Sequence, residues 1–241
     1  MPACAEICSA ATRCALANRC SAITAVAGVV PAPILKGCSQ KVPPMSLDLS
    51  TSRQPDHPVA TQFPMRWSPR SFSDRKLGAG EVLSVLEAAR WAPSASNHQP
   101  WRFVWALRED GDHAAILGAL VPGNQTWAGK AAALIVVAST ATVTGKDGAE
   151  TANKWSAFDA GAAWMSLSLQ AQAMGLVSHA MGGFDAVALE RAVGLPEGHS
   201  LHAVVALGHQ GPIAALPEPL QAREAPNSRH PVSETAFRGR F

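Results

Sequence analysis

Tyrosine is absent from this 241-residue chain, and all five cysteines lie within its first 38 residues. The remainder therefore has no thiol for nucleophilic catalysis, disulfide formation or metal binding. It also lacks a P-loop, an HExxH motif, a GxSxG elbow and a strand-associated GxGxxG loop. We predict no catalytic side chain and no metal site. A protein with so few reactive groups either does no chemistry or obtains it from a cofactor.

Charge is scarce as well. Charged residues make up 16% of the chain and apolar residues 47%, with a net charge of +2. This composition favours a folded domain and argues against nucleic acid as a partner. No apolar run approaches the roughly 20 residues of a membrane-spanning helix. We expect a cytoplasmic protein that acts on a small-molecule substrate.

The first 60 residues differ from the rest. They are rich in Ala, Ser, Cys and Pro and show no sustained helical or strand periodicity. We interpret residues 1–60 as an N-terminal extension, either disordered or produced by a start codon placed upstream of Met45. Residues 61–241 then form the functional domain.

Hydrophobic periodicity predicts alternating helices and strands in that domain. The predicted helices are Glu81–Trp91, Asp112–Leu120, Asn153–Met174 and Ala186–Val193. The predicted strands are Trp101–Leu107, Ala131–Ser139, Leu176–Met181 and Leu201–Leu207. Few strands and large helices indicate an α+β fold with one central sheet.

The longest predicted helix is apolar nearly all round. One stripe along it consists of Phe158, Ala162, Met165, Leu169 and Ala173. A helix of this kind is either buried centrally or forms a subunit interface.

Two guanidiniums four residues apart, on Arg66 and Arg70, flank the hydroxyl of Ser68. Such a set can converge on one phosphate through charge-assisted hydrogen bonds. Taken alone, the pattern is also typical of a solvated basic surface. Trp67 is either a wall of the same site or a packed aromatic side chain.

A loop of Ser, Asn and Pro residues joins the first predicted helix to the first strand over Pro93–Gln99. Its amides could read the polar edge of a planar heterocycle, although ordinary connections have a similar composition. Gly182 and Gly183 follow a predicted strand, and glycines let the backbone approach a ligand closely. The alternative there is a plain turn before a helix capped by Asp185.

In this combination and order, the segments resemble the FMN-dependent nitroreductase family. The similarity rests on RxSxRxF at Arg66–Phe72, APSxxNxQPW at Ala92–Trp101, DxGxA at Asp159–Ala163 and the GGFD turn at Gly182–Asp185. It extends from about Arg66 to Gly208, with a looser match around Arg229.

The resemblance implies a three-layer α+β fold with a central mixed β-sheet flanked by helices. It implies a homodimer whose two FMN sites lie at the subunit interface. The residues it places at the phosphate end are Arg66, Ser68, Arg70 and Arg229, with Trp67 beside them. Those it places on the flavin of the other subunit are Pro93, Ser94, Ala95, Asn97 and Gln99. Gly182 and Gly183 would contact the ring near N5 through their backbone.

The resemblance further implies a two-electron oxidoreductase. NADH or NADPH would reduce the flavin, and nitroaromatics or quinones would reoxidise it in a ping-pong cycle. Gly182 stands where many members have Glu, and Trp67 where many have His or a basic residue, so donor and acceptor stay open. The alternatives are an enone reductase, a non-catalytic flavin store or sensor, and a structural homodimer without cofactor.

Overall fold

The structure is a computed structural model that describes residues 53–145 and 147–241. Its α-helices are α1 (Gln62–Met65), α2 (Ala79–Arg90), α3 (Gly111–Gly118), α4 (Pro122–Ala128), α5 (Ser156–Ala173), α6 (Ala186–Val193) and α7 (Glu218–Gln221). Its β-strands are β1 (Trp101–Leu107), β2 (Ala133–Thr140), β3 (Thr142–Thr144), β4 (Glu150–Ala152), β5 (Val177–Met181) and β6 (His199–Gly208). Most of the predicted extension, residues 1–52, lies outside the described residues.

The structure confirms most of the helices and strands that the sequence pattern predicted. β1 and α6 have the predicted bounds, and Asp185 caps α6 by accepting a 3.0 Å hydrogen bond from the Ala188 N–H. α5 begins three residues later than predicted, because the Asn153 side chain first accepts a hydrogen bond from the Trp155 N–H in a turn. α4 and the β3–β4 hairpin were not predicted, since segments this short carry too few periods to register.

The main sheet has the strand order β1-β2-β6-β5, and all three pairings are antiparallel. Val136 in β2 is paired with Val104 on one side and Val204 on the other. The sheet is thus antiparallel throughout the described residues rather than mixed, which corrects that part of the prediction. Periodicity locates strands but does not give their direction, which depends on how the helices between them return the chain to the sheet.

Two apolar clusters lie on opposite faces of this sheet, as a three-layer fold requires. Leu134 and Val136 of β2 belong to the cluster packed under α3, α4 and α6. Ile135 and Val137 belong to the cluster packed under α2 and α5. This alternation follows from the two-residue period of a strand. Among the described helices, none is both long and apolar enough to cross a membrane.

Helix α5 does not bury the stripe we singled out. The face toward α2 and the sheet carries Ala160, Ala163 and Leu167, all fully or almost fully buried. Phe158, which starts the predicted stripe, is 73% exposed in the single chain. The helix is therefore buried on the face toward α2 and the sheet. Its opposite face, which includes Phe158, is exposed in the single chain and is the face left for a subunit interface.

Candidate anion-binding site

Five arginines from separate parts of the chain line one pocket with a volume of about 380 Å³. We call it the arginine pocket and define it by Arg53, Arg66, Arg70, Arg223 and Arg229. The remaining lining residues are Trp67, Ser68, His179, Ala225 and Asn227. Three stretches meet here: residues 53–70, strand β5 through His179, and the tail after β6.

The positive charge of this pocket is poorly balanced by the protein. Arg70 lies 3.8 Å from the Glu224 carboxylate. Within the described residues, no ion pair joins Arg53, Arg66, Arg223 or Arg229 to a carboxylate. Clustered guanidiniums without acidic partners repel one another, and an anion bound among them relieves that repulsion.

The predicted convergence of Arg66 and Ser68 is present. Arg66 Nη1 donates to Ser68 Oγ at 3.3 Å and to the Trp67 carbonyl at 3.2 Å. Burial and the nearby Arg229 guanidinium lower the pKa of Arg66 from its ordinary value. Arginine stays protonated in proteins. The lowered pKa therefore reflects the cost of holding the Arg66 charge where it is partly buried and close to a like charge.

Glu224 fixes the backbone that carries Arg70. Its Oε1 accepts hydrogen bonds from the Arg70 N–H at 2.7 Å and the Ser71 N–H at 2.8 Å. The side chain of Glu224 is completely buried. A buried carboxylate needs such donors. It serves here as a brace for the pocket wall, and its second oxygen has no hydrogen bond in the described structure.

His179 and Trp67 complete the wall. The His179 Nδ1 is 3.0 Å from the Pro69 carbonyl, and its ring packs on Trp127 with centroids 4.7 Å apart. Burial, with a smaller contribution from Arg70 and Arg66, lowers the pKa of His179 to about 4 despite the opposing hydrogen bonds to the backbone of Pro69 and Ser68. The ring is therefore neutral at neutral pH and Nδ1 donates to Pro69. Trp67 is 92% buried, and its indole N–H has no partner in the described residues.

The Pro93–Gln99 loop is anchored to helix α5 by hydrogen bonds. Asp159 of α5, itself buried, accepts hydrogen bonds from Ser94 Oγ at 2.8 Å and from the Ala95 N–H at 3.0 Å. Ser94 Oγ in turn accepts one from the Gln99 N–H at 2.8 Å. The loop tip is solvent-exposed in the single chain.

The backbone of that loop is strained. Ser96, Asn97 and Gln99 have φ values of +50°, +56° and +49°, in the left-handed region that residues other than glycine rarely occupy. Strain of this kind persists only where surrounding bonds over-determine it, and it clusters at ligand sites. The bonds from Asp159 and Ser94 provide that over-determination.

The two glycines after β5 have different surroundings. A Cβ on Gly183 would lie 2.9 Å from Val121 Cγ2, so the start of α4 can pack there only against glycine. The Gly183 carbonyl also accepts hydrogen bonds from the Val121 N–H and from Asn124 Nδ2. A Cβ on Gly182 would meet nothing within 4 Å. Close packing thus accounts for Gly183, whereas Gly182 faces open space.

The structure gathers five predicted site residues in the arginine pocket: Arg66, Trp67, Ser68, Arg70 and Arg229. The others do not line it: Pro93, Ser94, Ala95, Asn97, Gln99, Gly182 and Gly183. In the described part of the chain, no group of three or more His, Cys, Asp or Glu residues could hold a metal ion.

Sequence reasoning missed Arg53, His179, Arg223 and Glu224, and it named Asp159 only as part of a motif, without a role. Asp159 gave a usable signal: a carboxylate inside an apolar helix has to find donors when the helix is buried. Arg223 and Glu224 lie in a proline-rich tail without periodicity, and Arg53 lies in the predicted extension. Only the fold brings these residues to the pocket.

The profile of the Nitroreductase family matches residues 65–121 and 109–209 of this chain. A solved structure of an oxidoreductase containing FMN is 41% identical and has a TM-score of 0.77. The match covers 78% of this chain and 96% of that chain. An uncharacterized 15.4 kDa protein in the ask 5′ region of Mycolicibacterium smegmatis is 38% identical over 55% of this chain and 86% of its own.

A protein of Archaeoglobus fulgidus, named as an NADH dehydrogenase or NAD(P)H nitroreductase, is 29% identical over 60% of this chain and 80% of its own length. The family profile covers more than half of the chain, from just before Arg66 to the end of β6. The chain belongs to the nitroreductase family, and its three-layer α+β architecture is the fold of that family.

Proposed function

We propose that this protein is an FMN-dependent oxidoreductase that transfers two electrons from NAD(P)H to small oxidised acceptors such as nitroaromatics or quinones. The observation that carries the proposal is the arginine pocket, an anion site with four guanidiniums unpaired within the described residues. Two of its arginines, Arg66 and Arg70, lie at the start of the region matched by the family profile.

The pocket fits the phosphate end of FMN. A phosphate monoester is a dianion with three acceptor oxygens, and guanidinium forks match that geometry. Arg66, Ser68, Arg70 and Arg229 would hold the phosphate. The FMN-containing oxidoreductase that is 41% identical supports the same cofactor. When bound, FMN supplies the two-electron redox chemistry that the side chains of this chain lack.

The remaining predicted ligands fit a homodimer. The Pro93–Gln99 loop is braced by Asp159 yet presents its polar tip to solvent in the single chain. The outer face of α5 adds exposed aromatic surface, with Trp155 at 47% and Phe158 at 73% exposure. Exposed apolar faces of this kind mark subunit contacts. We infer that the loop approaches the flavin of the partner subunit, while Gly182 and Gly183 contact the flavin through their backbone.

No side chain is proposed as a catalytic acid or base. The chain would bind the flavin and orient its ring, and the positive charge at the phosphate would come from the arginines, since His179 is neutral at neutral pH. Donor and acceptor would use the site in turn, in a ping-pong cycle. The Archaeoglobus relative supports a nicotinamide donor without separating NADH from NADPH.

The visible spectrum of the purified protein tests the proposal directly. We expect a flavin spectrum, release of FMN on denaturation, and bleaching of the flavin by NADH or NADPH before reoxidation by a nitroaromatic or quinone. A colourless protein that FMN does not reconstitute would contradict cofactor binding. A flavin that no nicotinamide donor bleaches would contradict the reaction and favour flavin storage or sensing.

The double variant Arg66→Ala/Arg70→Ala tests the phosphate assignment. Removing two charge-assisted contacts is expected to weaken FMN binding by about 100-fold or more, because each contributes about 1.5–3 kcal/mol. Riboflavin, which has no phosphate, should lose much less affinity in the same fluorescence titration. The control is Arg191→Ala/Arg238→Ala, which removes two exposed arginines outside the pocket. Equal FMN retention by the two double variants would refute the assignment.

A further inference from the structure

Arg53 precedes the region matched by the family profile, yet it is bonded into the arginine pocket. Its Nη1 donates to the Arg66 carbonyl at 2.7 Å and to the Pro64 carbonyl at 2.9 Å. Its Nε donates to the Asn227 carbonyl at 2.9 Å. One guanidinium therefore joins the N-terminal segment, the stretch that leads into Arg66, and the tail that carries Arg229.

A second hydrogen bond attaches the same segment to the tail without bringing a positive charge to the pocket. Asp56, three residues further on, accepts a 2.7 Å hydrogen bond from the Val232 N–H through its Oδ2. The segment is thus attached to the tail at two points, and only Arg53 brings a positive charge to the pocket. The attachment and the charge can be separated by substitution.

The orientation of Arg53 leaves part of its fork available. Nε and Nη1 are taken by backbone carbonyls, whereas Nη2 makes no hydrogen bond within the described residues. Burial, Arg229 and Arg66 together lower the pKa of Arg53. No carboxylate in the described part of the chain pairs with it. A charge held beside two like charges by backbone bonds is in place for an anion.

We propose that Arg53 is a specificity-determining residue of the arginine pocket that binds the phosphate of the flavin directly through its Nη2. This inference rests on the proposed FMN site and adds to it a ligand from outside the family-matched region. The segment before α1 then takes part in telling a phosphorylated flavin from an unphosphorylated one.

The test compares FMN and riboflavin affinities in the full-length protein by flavin fluorescence. For Arg53→Ala we expect FMN affinity to fall about 10-fold or more, the usual effect of losing a charged hydrogen bond, and riboflavin affinity to change by less than about 2-fold. Unchanged FMN affinity, or equal losses for both flavins, would overturn the inference. If the wild-type protein bound no FMN, the proposed function itself would fail instead.

Three further variants separate direct binding from positioning. Asp56→Ala removes the hydrogen bond from the Val232 N–H without removing the guanidinium, and we expect FMN affinity within about 2-fold of wild type. An FMN loss equal to that of Arg53→Ala would overturn direct binding. In an Arg229→Ala background, Arg53→Ala should still weaken FMN binding; no further loss would mean that Arg53 acts only through the tail. Arg53→Lys keeps the positive charge and should retain more FMN affinity than Arg53→Gln, which removes it. This pair replaces Arg53→Ala if that variant folds poorly.

Discussion

The arginine pocket and the Pro93–Gln99 loop are built in opposite ways. The pocket gathers five arginines from residues 53–70 and the tail of a single chain. The loop is also braced, by Asp159, but its tip at residues 96–99 is exposed to solvent in the single chain. This difference is what the proposed homodimer requires, in which the pocket of one chain and the loop of its partner would form one flavin site.

A subunit-mixing experiment tests this comparison with the largest expected effect. The Arg66→Ala/Arg70→Ala chain lacks a working pocket, and an Asp159→Ala chain lacks the support of its loop. Each homodimer should retain little FMN. A heterodimer of the two contains one intact pocket facing one intact loop, so it should regain about one FMN per dimer.

Isolation of the heterodimer by two different affinity tags, followed by flavin absorbance, gives the measurement. The doubly tagged wild-type dimer is the control for full occupancy. Ser94→Ala, which removes the hydroxyl that bonds both Asp159 and the Gln99 N–H, replaces Asp159→Ala if the latter folds poorly. A heterodimer without flavin would show that pocket and loop serve the same chain.

Removing the brace of the pocket gives the next largest effect. Glu224→Ala leaves the N–H groups of Arg70 and Ser71 without their acceptor in a buried position. We expect a loss of about 3 kcal/mol in the free energy of unfolding and weaker FMN binding. Urea unfolding and fluorescence titration measure the two quantities.

Glu224→Gln is the matched variant for this position. It keeps an oxygen that can accept both hydrogen bonds and removes only the charge, so its stability loss should be the smaller one. If the two variants lost equal stability, the charge near Arg70 rather than the backbone bonds would hold the pocket wall.

The smallest effect concerns loop strain. Ser96 has a φ of +50°, which glycine adopts without steric cost. Ser96→Gly should therefore stabilise the protein slightly, by about 0.5 kcal/mol, despite the greater freedom of glycine in the unfolded chain. Ser84→Gly in the exposed surface of α2 is the control and should destabilise by a similar amount. Thermal unfolding distinguishes the signs; a destabilising Ser96→Gly would mean that the serine side chain supports the loop.

Several features followed from the sequence alone, because they depend on local physics. The aromatic and β-branched residues of Trp101–Leu107 predicted the bounds of β1, and the Asp185 cap predicted the start of α6. The absence of cysteine and tyrosine from residues 53–241 directed attention to a cofactor, and the spacing of Arg66, Ser68 and Arg70 places them at one pocket.

Only the tertiary structure decided which distant residues join them. Arg53, Arg223 and Glu224 reach the pocket because the ends of the domain fold back beside residues 66–70, and no local pattern records such a contact. The same holds for the face of α5. Helical periodicity showed an apolar helix, but packing against α2 and the sheet decided that Ala160 and Leu167 are buried while Phe158 stays outside. Chain reversal and packing are long-range properties, so the sequence determined the parts and the fold determined which of them meet.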